Sequence, residues 1–441
     1  MSYFPYFSGN DLERLFRKRV KKLSSDRNNI LPVWARENAD NFFGRRKFVI
    51  CGSVLQPEMR ILARNANVIA IVDDFLAHDK EKIFGLPVIN TAGWIELVRA
   101  DRSIVSCILT PGGRATQHFT RRCMIWDFAF LTPLQLLYVM RLNKIDTAGE
   151  VGRFLSMGFE LFEHFLENAD KLMELGKIFD DEYSRITWFS MIMYHMTLNP
   201  FYMEGCAIGT GRDRFGLNSF EAYSHFFEFS DQEVYVDGGA YTGDTITGFL
   251  KAVNGKFRHI YAFEPSTANS QLIISSLKDL QGQYLDSFMG KFSIISKGLW
   301  DCEDMLHFRP DTVINFLDFG RIVDTPAAYF VEPNKSGPLN LMQPLENERM
   351  MKVPVTTIDE STNRDASFIK LEVEGAELRS LRGAVKTLER SRPKMAISMY
   401  HKIEDYITLT EFILNTGLNY RLGFRQHLPS VPCETVLYCY H

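Results

Sequence analysis

Residues 234–245, with the sequence VYVDGGAYTGDT, constrain the possible fold more than any other part of the chain. Residues 234–236 carry the β-branched and aromatic side chains that favour a buried strand. The glycines that follow permit a tight turn and a close approach of the backbone to a ligand. Asp244 and Thr245 carry oxygens that can cap the first N–H groups of a helix. The stretch therefore predicts a strand, a turn and a helix, as either a cofactor-binding turn or an ordinary turn of an α/β domain.

From residue 232 onward, short apolar runs alternate with amphipathic stretches, a pattern typical of α/β domains. The predicted strands are residues 234–236, 259–263, 292–295, 305–308, 367–373, 394–399, 420–427 and 435–440. A proline-containing turn at 429–432 predicts that the last two strands pair antiparallel. Residues 376–390 are predicted to form one helix, and residues 311–351 an irregular insertion that covers a site. The predicted fold of residues 232–441 is a doubly wound α/β sheet with an antiparallel C-terminal hairpin.

Three further regions are predicted before this domain. Residues 1–45 form a helical extension, whose basic amphipathic helix at 10–23 suits a solvated face, an anionic membrane surface or a partner. Residues 46–140 form a smaller Rossmann-like α/β domain. Residues 141–231 form a helical bridge, with a long amphipathic helix between 149 and 179.

The Rossmann-like domain has an incomplete nucleotide-binding turn. A dinucleotide site needs G-x-G-x-x-G after the first strand, and only Gly52 is present there. The Gly52 turn and the acids Asp73 and Asp74 after the second strand resemble the Rossmann-like domains of some sugar-modifying proteins. Ligand binding and a structural or oligomerisation role both stay open.

Composition excludes several classes of protein. A net charge of -4 and a pI near 6.2 argue against a nucleic-acid binder, which would carry a basic excess. The sequence shows neither a signal peptide nor an apolar segment long enough to span a bilayer. Seven scattered cysteines without a C-x-x-C pair predict reduced thiols and a cytoplasmic location. A homo-oligomer is compatible with this composition.

Acidic residues cluster where the predicted strands end, which is the edge at which open α/β sheets bind ligands. Asp237 ends the first strand of the C-terminal domain and Glu264 ends the second. Glu372, Glu374 and Glu377 crowd the end of the fourth strand. Carboxylates on neighbouring strand ends can accept hydrogen bonds from a ribose diol and an ammonium group.

The position of Asp237 decides between two cofactors. A carboxylate ahead of the glycines would repel the pyrophosphate of NAD, which needs bare N–H groups. The strict glycine pattern also fails, because its three positions read Gly238, Ala240 and Gly243. S-adenosylmethionine carries a sulfonium, an ammonium and no phosphate, so the acids favour it over NAD.

Several runs in the same order resemble the FkbM family of S-adenosylmethionine-dependent methyltransferases. They are VYVDGGAYTGDTITGFL, IYAFEPS, VPVTTIDE, FIKLEVEGAELRSLRGA and ISMYHKIEDY. The resemblance covers residues 230–441. It implies a class I methyltransferase fold and methylation of hydroxyls on sugars, polyketides or similar metabolites.

The resemblance also implies which residues contact the cofactor. These are expected to be Asp237, Gly238, Gly239, Ala240, Tyr241, Gly243, Asp244 and Glu264. Glu264 would hold the ribose. The sequence departs from the family pattern twice, since Tyr241 stands where Asn is frequent and Glu372 stands where Asp is usual.

The candidate catalytic residues are Glu374, His401 and Glu372, at the ends of adjacent strands. A hydroxyl acceptor needs a base to take its proton, and each of these residues can supply one. The structural alternatives are a helix cap for Glu374 and Glu377, and a hydrogen-bonded imidazole for His401. Lys370 is expected to support the carboxylates. No metal site is predicted, although carboxylates beside His401 leave a magnesium-type site open.

The sequence therefore predicts an S-adenosylmethionine-dependent O-methyltransferase that acts on a small-molecule or carbohydrate acceptor. An NAD-dependent oxidoreductase and a non-catalytic nucleotide- or sugar-binding protein are the alternatives.

Overall fold

The structure, a computed structural model, describes most of the chain. The described residues are 8–36, 39–52, 56–79, 81–109, 113–145, 162–197, 199–208, 219–284, 290–318, 321–331, 351–402, 404–429 and 434–441. Within these ranges, no helix has both the length and the hydropathy needed to cross a membrane.

The strands form three sheets. The N-terminal sheet contains β1 Lys47–Cys51, β2 Asn67–Val72, β3 Lys82–Ile83, β4 Leu86–Ile89, β5 Val105–Ile108 and β6 Phe130–Leu131. The C-terminal sheet begins with β7 Val234–Gly238, β8 His259–Phe263 and β9 Phe292–Ile295. A small sheet follows with β10 Gly298–Leu299, β11 Asp304–Asp318, β12 Arg321–Val331 and β13 Met351–Thr356. The C-terminal sheet is completed by β14 Phe368–Leu371, β15 Lys394–Ser398, β16 Arg421–Gln426 and β17 Thr435–Tyr440.

The helices cover the faces of these sheets and the region between them. In the N-terminal half they are Gly9–Ser25, Val33–Arg36, Gln56–Asn65, Leu76–Asp79, Thr91–Ala100, Gly113–Trp126, Pro133–Leu142, Ala169–Leu175, Glu182–Thr197, Pro200–Cys206 and Ser219–Ser224. In the C-terminal half they are Asp244–Ala252, Thr267–Tyr284, Ile358–Ser361, Glu377–Arg382, Val385–Ser391 and Asp405–Asn415.

The C-terminal sheet confirms the predicted fold class. Its strand order is β16-β17-β15-β14-β7-β8-β9. The strands β9, β8, β7, β14 and β15, in this spatial order, run parallel to one another. Strand β17 is antiparallel to both β15 and β16. Lys370 on β14 and Ala262 on β8 pair with Asp237 on β7. The carboxyl ends of these three strands therefore meet at one edge of the sheet.

The N-terminal sheet confirms a Rossmann-like unit, with the order β3-β4-β2-β1-β5-β6. Gly52 follows β1 with a φ of 102°. The rest of that turn, residues 53–55, lies outside the described residues. The domain boundaries after residues 45, 140 and 231 stay predictions.

Aromatic side chains of the predicted bridge pack against the helix Asp405–Asn415 and against β16 of the C-terminal sheet. The ring centroids of Phe165 and Tyr406 are 5.2 Å apart, as are those of Trp188 and Phe424. Within the predicted helix from 149 to 179, residues 162–167 and Ala169–Leu175 are helical, and the prediction is wrong in expecting one unbroken helix that extends to residue 179. The chain leaves helical geometry at Asn168, whose side-chain amide donates to the carbonyl of His164 at 2.9 Å. Residues 149–161 lie outside the described residues.

Two other secondary-structure predictions are wrong. The predicted insertion begins with the paired strands β11 and β12, and residues 332–350 lie outside the described residues. Proline is tolerated in β12 because this is an edge strand. The predicted helix 376–390 is broken at Gly383, where a Cβ would lie 2.1 Å from the carbonyl oxygen of Trp300.

Candidate active site

The glycine turn after β7 lies directly on the end of β14. Gly239 has a φ of 75°, and a Cβ at this position would lie 1.9 Å from the carbonyl oxygen of Glu372. A Cβ on Gly238 would lie 2.8 Å from Leu299 Cδ1. Packing of the protein against itself is therefore sufficient to require glycine at position 239, and a side chain at position 238 would displace its neighbours.

Asp237 lies beneath this turn and has no exposed surface. Its Oδ2 accepts a hydrogen bond from Thr245 Oγ1 at 2.5 Å, and its Oδ1 lies 3.1 Å from Lys370 Nζ. Lys370 Nζ also donates to the carbonyl of Gly239 at 2.8 Å. Burial opposes the charged form of Lys370, but Asp237 and Glu372 outweigh burial and raise its pKa. The expected supporting role of Lys370 is thus visible as an ammonium that ties Asp237 to the turn.

The helix after the turn begins differently from the prediction. It begins at Asp244, and its N-cap residue is Gly243, with no side-chain capping hydrogen bond. The expectation that Asp244 and Thr245 cap the helix is therefore wrong, because the Thr245 hydroxyl is used by Asp237.

Glu264 connects the turns that follow β7 and β8. Its Oε2 accepts from the backbone N–H of Tyr241 at 3.0 Å, and its Oε1 accepts from that of Ser266 at 2.8 Å. Burial outweighs these hydrogen bonds and raises the pKa of Glu264 to about 7. The carboxylate is held at the edge of the sheet, beside the backbone of residues 240–243.

Tyr241 is the strained member of the turn. It has a φ of 44°, a left-handed conformation that asparagine adopts more readily than tyrosine.

We expect Tyr241→Asn to raise the free energy of unfolding by about 1 kcal/mol, as measured by chemical denaturation. Asn419, with a φ of 56°, offers the reverse control, and Asn419→Tyr should destabilise by a similar amount. A destabilised Tyr241→Asn variant would contradict this expectation.

The other predicted acids surround His401 and Lys370. Glu372 Oε1 accepts from the Tyr400 hydroxyl at 2.6 Å, and its Oε2 lies 3.5 Å from Lys370 Nζ. Burial opposes the charged form of Glu372, but Lys370 and the Tyr400 hydroxyl outweigh burial and lower its pKa. Glu372 is therefore stabilised in its ionised form, and both of its oxygens already have partners in the Tyr400 hydroxyl and Lys370.

His401 lies between two glutamates. Its Nδ1 is 2.8 Å from Glu377 Oε1, and its Nε2 is 3.4 Å from Glu374 Oε2. Burial disfavours the imidazolium, but Glu377 and Glu374 outweigh it and raise the pKa of His401 to about 10. The two carboxylates therefore favour the imidazolium form of His401, in which both ring nitrogens carry protons.

Glu374 differs from its neighbours in exposure and charge. Its side chain is 40% exposed, against 8% for His401 and 1% for Glu377. Desolvation outweighs the attraction of His401 and raises the pKa of Glu374 to about 7. Its φ of 52° places it in the left-handed region, and residues under such strain cluster at functional sites.

Sequence reasoning missed Glu434, which the C-terminal hairpin brings to the same group. Burial and the charge of Glu372 raise the pKa of Glu434 to about 8. No spacing in the sequence links this residue to the fourth strand. Tyr400 was also missed as a partner of Glu372, although it lies in the run ISMYHKIEDY.

Two other features lie apart from this group. Within the described ranges, no cluster of three or more histidine, cysteine or acidic side chains is arranged to hold a metal ion. A surface cavity of about 670 Å³ includes Asp301, Arg382 and Lys386 in its lining, and none of the predicted site residues lines it.

The strand order, the glycine turn and the carboxylates at one sheet edge define an α/β domain of the class I methyltransferase type. Residues 237–425 match the model of the methyltransferase FkbM domain. The predicted resemblance is therefore confirmed. No curated protein matches the chain.

A solved structure agrees on the fold. The crystal structure of a methyltransferase FkbM from Methylobacillus flagellatus KT is 24% identical and superposes with a TM-score of 0.69. The alignment covers 98% of this chain and all of that one. An rRNA methylase from Streptococcus thermophilus is 16% identical, with 50% of this chain and 91% of that chain aligned at a TM-score of 0.28.

Proposed function

We propose that the protein is an S-adenosylmethionine-dependent O-methyltransferase that acts on a hydroxyl of a small molecule or carbohydrate. The observation that carries this proposal is a set of carboxylates at the ends of adjacent strands within an FkbM methyltransferase domain. An acid-rich edge suits a cofactor that carries a sulfonium and an ammonium and lacks phosphates.

Glu264 is the residue suited to the ribose. Two backbone N–H groups fix its carboxylate beside the turn, and an ionised carboxylate has about four lone-pair sites, so it can still accept from a diol. The turn from Gly239 to Gly243 and the first helical residue, Asp244, would lie along the amino-acid end of the cofactor. Asp237 would act from below by holding Lys370 and the turn in place.

Glu374 is the favoured base among the three candidates. The carboxylates of Glu377 and Glu374 favour the protonated form of His401, and the oxygens of Glu372 already face the Tyr400 hydroxyl and Lys370. When bound, the cofactor supplies an electrophilic methyl group on sulfur. Glu374 would take the hydroxyl proton of the acceptor while the acceptor oxygen receives the methyl group that the cofactor would supply. The products are a methyl ether and S-adenosylhomocysteine.

Calorimetric titration with S-adenosylmethionine, S-adenosylhomocysteine and NAD tests the proposal. We expect both sulfur compounds to bind and NAD not to bind. Glu264→Gln should weaken their binding about 10- to 100-fold, because a hydrogen bond to a charged group contributes roughly 1.5–3 kcal/mol. Glu389→Gln, an exposed acid on the helix Val385–Ser391, is the matched control and should bind as the wild type does. Failure of both sulfur compounds to bind, or unchanged affinity in Glu264→Gln, would contradict the proposal.

A further inference from the structure

We propose that Glu377 is a positioning residue, which fixes the imidazole of His401 through Nδ1 and so keeps Nε2 facing Glu374. The inference rests on the proposed function, in which Glu374 takes the proton of the acceptor.

Glu377 is itself held rigidly. It is the first residue of the helix Glu377–Arg382, and its side chain is 1% exposed. Its Oε1 accepts from the backbone N–H of Val373 at 3.0 Å and lies 2.8 Å from His401 Nδ1. A rotation away from His401 would leave the Val373 N–H without this acceptor, at a cost of about 1–3 kcal/mol.

The carboxylate determines which way the imidazole faces. With Nδ1–H donated to Glu377, the opposite edge of the ring points Nε2 toward Glu374 Oε2, 3.4 Å away. The Tyr400 ring, whose centroid is 4.2 Å from that of His401, restricts the ring further. In this orientation the imidazolium presents its Nε2–H to Glu374. At metal sites, a carboxylate that accepts from one ring nitrogen of a histidine fixes the direction of the other nitrogen in the same way.

Charges on several elements act on His401, so the effect of Glu377 has to be separated from the others. They are Glu372 at the end of β14, Glu374 in the following turn, Glu377, Asp405 on the helix Asp405–Asn415, and Glu434 on the hairpin. Among them Glu377 is the nearest and is hydrogen-bonded to the ring. Glutamine at this position keeps an acceptor oxygen and removes the charge, which isolates the electrostatic contribution.

The test is an NMR titration of His401 in the full chain labelled with 15N-histidine. The chain has 10 histidines, so the resonance is assigned with His401→Gln. In the wild type we expect the ring to stay protonated through neutral pH. In Glu377→Gln the pKa of His401 should fall by roughly 1–3 pH units, while Glu389→Gln should leave it unchanged. Binding of S-adenosylhomocysteine should be retained in all variants that keep Glu264.

The outcomes separate this inference from the proposed function. An unchanged His401 titration in Glu377→Gln overturns the positioning role, even if the cofactor binds. A wild-type His401 that titrates near its ordinary value of about 6.5 also overturns it, and this measurement needs no Glu377 variant to fold. Failure of the wild type to bind S-adenosylhomocysteine overturns the proposed function instead. With an acceptor in hand, Glu377→Gln should lower kcat about 10- to 100-fold with little change in KM.

Discussion

Replacement of Gly239 by alanine is expected to destabilise the protein by about 2–5 kcal/mol. Two costs add at this position. A residue with a Cβ is strained at a φ of 75°, and the new methyl group would lie 1.9 Å from the carbonyl oxygen of Glu372. That oxygen belongs to the backbone at the end of β14, so relief of the clash separates the two strand ends that carry the site. Thermal denaturation followed by near-ultraviolet circular dichroism measures the loss as a lower Tm.

Gly417 separates the two costs. It has a φ of 68°, and a Cβ there would meet no heavy atom within 4 Å. Gly417→Ala should therefore show only the strain of the left-handed conformation, about 1–2 kcal/mol. Equal destabilisation by both substitutions would mean that the contact with Glu372 does not require the glycine at 239.

The strands of the C-terminal sheet could be predicted from the sequence because each is a short apolar run that ends at acids or turn residues. The break at Gly383 could not, because this residue lies against the carbonyl of Trp300, and that contact exists only in the folded chain. Strand β12 and the continuation of β11 beyond residue 308 were missed for a related reason. Their pairing is a contact between backbones, and proline in an edge strand removes the local signal on which the prediction depended.

The candidate site shows the same limit more sharply. Sequence alone placed Asp237 and Glu264 at neighbouring strand ends, and the register of β7 and β8 agrees. The sequence could not distinguish a carboxylate that faces a ligand from one that, like Asp237, is buried below the turn and paired with a cation. That distinction depends on Lys370, which comes from a distant segment and pairs with Asp237 across β7 and β14. Glu434 comes to the site from the C-terminal hairpin, so it lies outside the sequence runs that contain the other acids.

Replacement of Glu374 by glutamine is expected to lower kcat for methyl transfer by about 10² to 10⁴-fold, the usual contribution of a positioned base. Glutamine preserves the shape of the side chain and cannot take a proton. In the wild type, kcat should rise with pH through about 7, because the pKa of Glu374 lies near that value and only its ionised form accepts the proton. The measurement is release of S-adenosylhomocysteine, with an acceptor found by screening glycosides and nucleotide sugars.

The pH profile and the cofactor affinity together decide whether Glu374 is the base. Glu374→Gln should lose the rise near pH 7 and still bind S-adenosylhomocysteine, since Glu264 and the glycine turn are unchanged. Glu389→Gln should keep both the rate and the profile. If Glu374→Gln retains the wild-type rate, the proton leaves by another route. A wild-type rate that rises only near pH 10 would instead indicate neutral His401, whose pKa lies there. Proton acceptance by Glu374 therefore predicts a kcat that rises with pH near 7, whereas proton acceptance by His401 predicts a kcat that rises near pH 10.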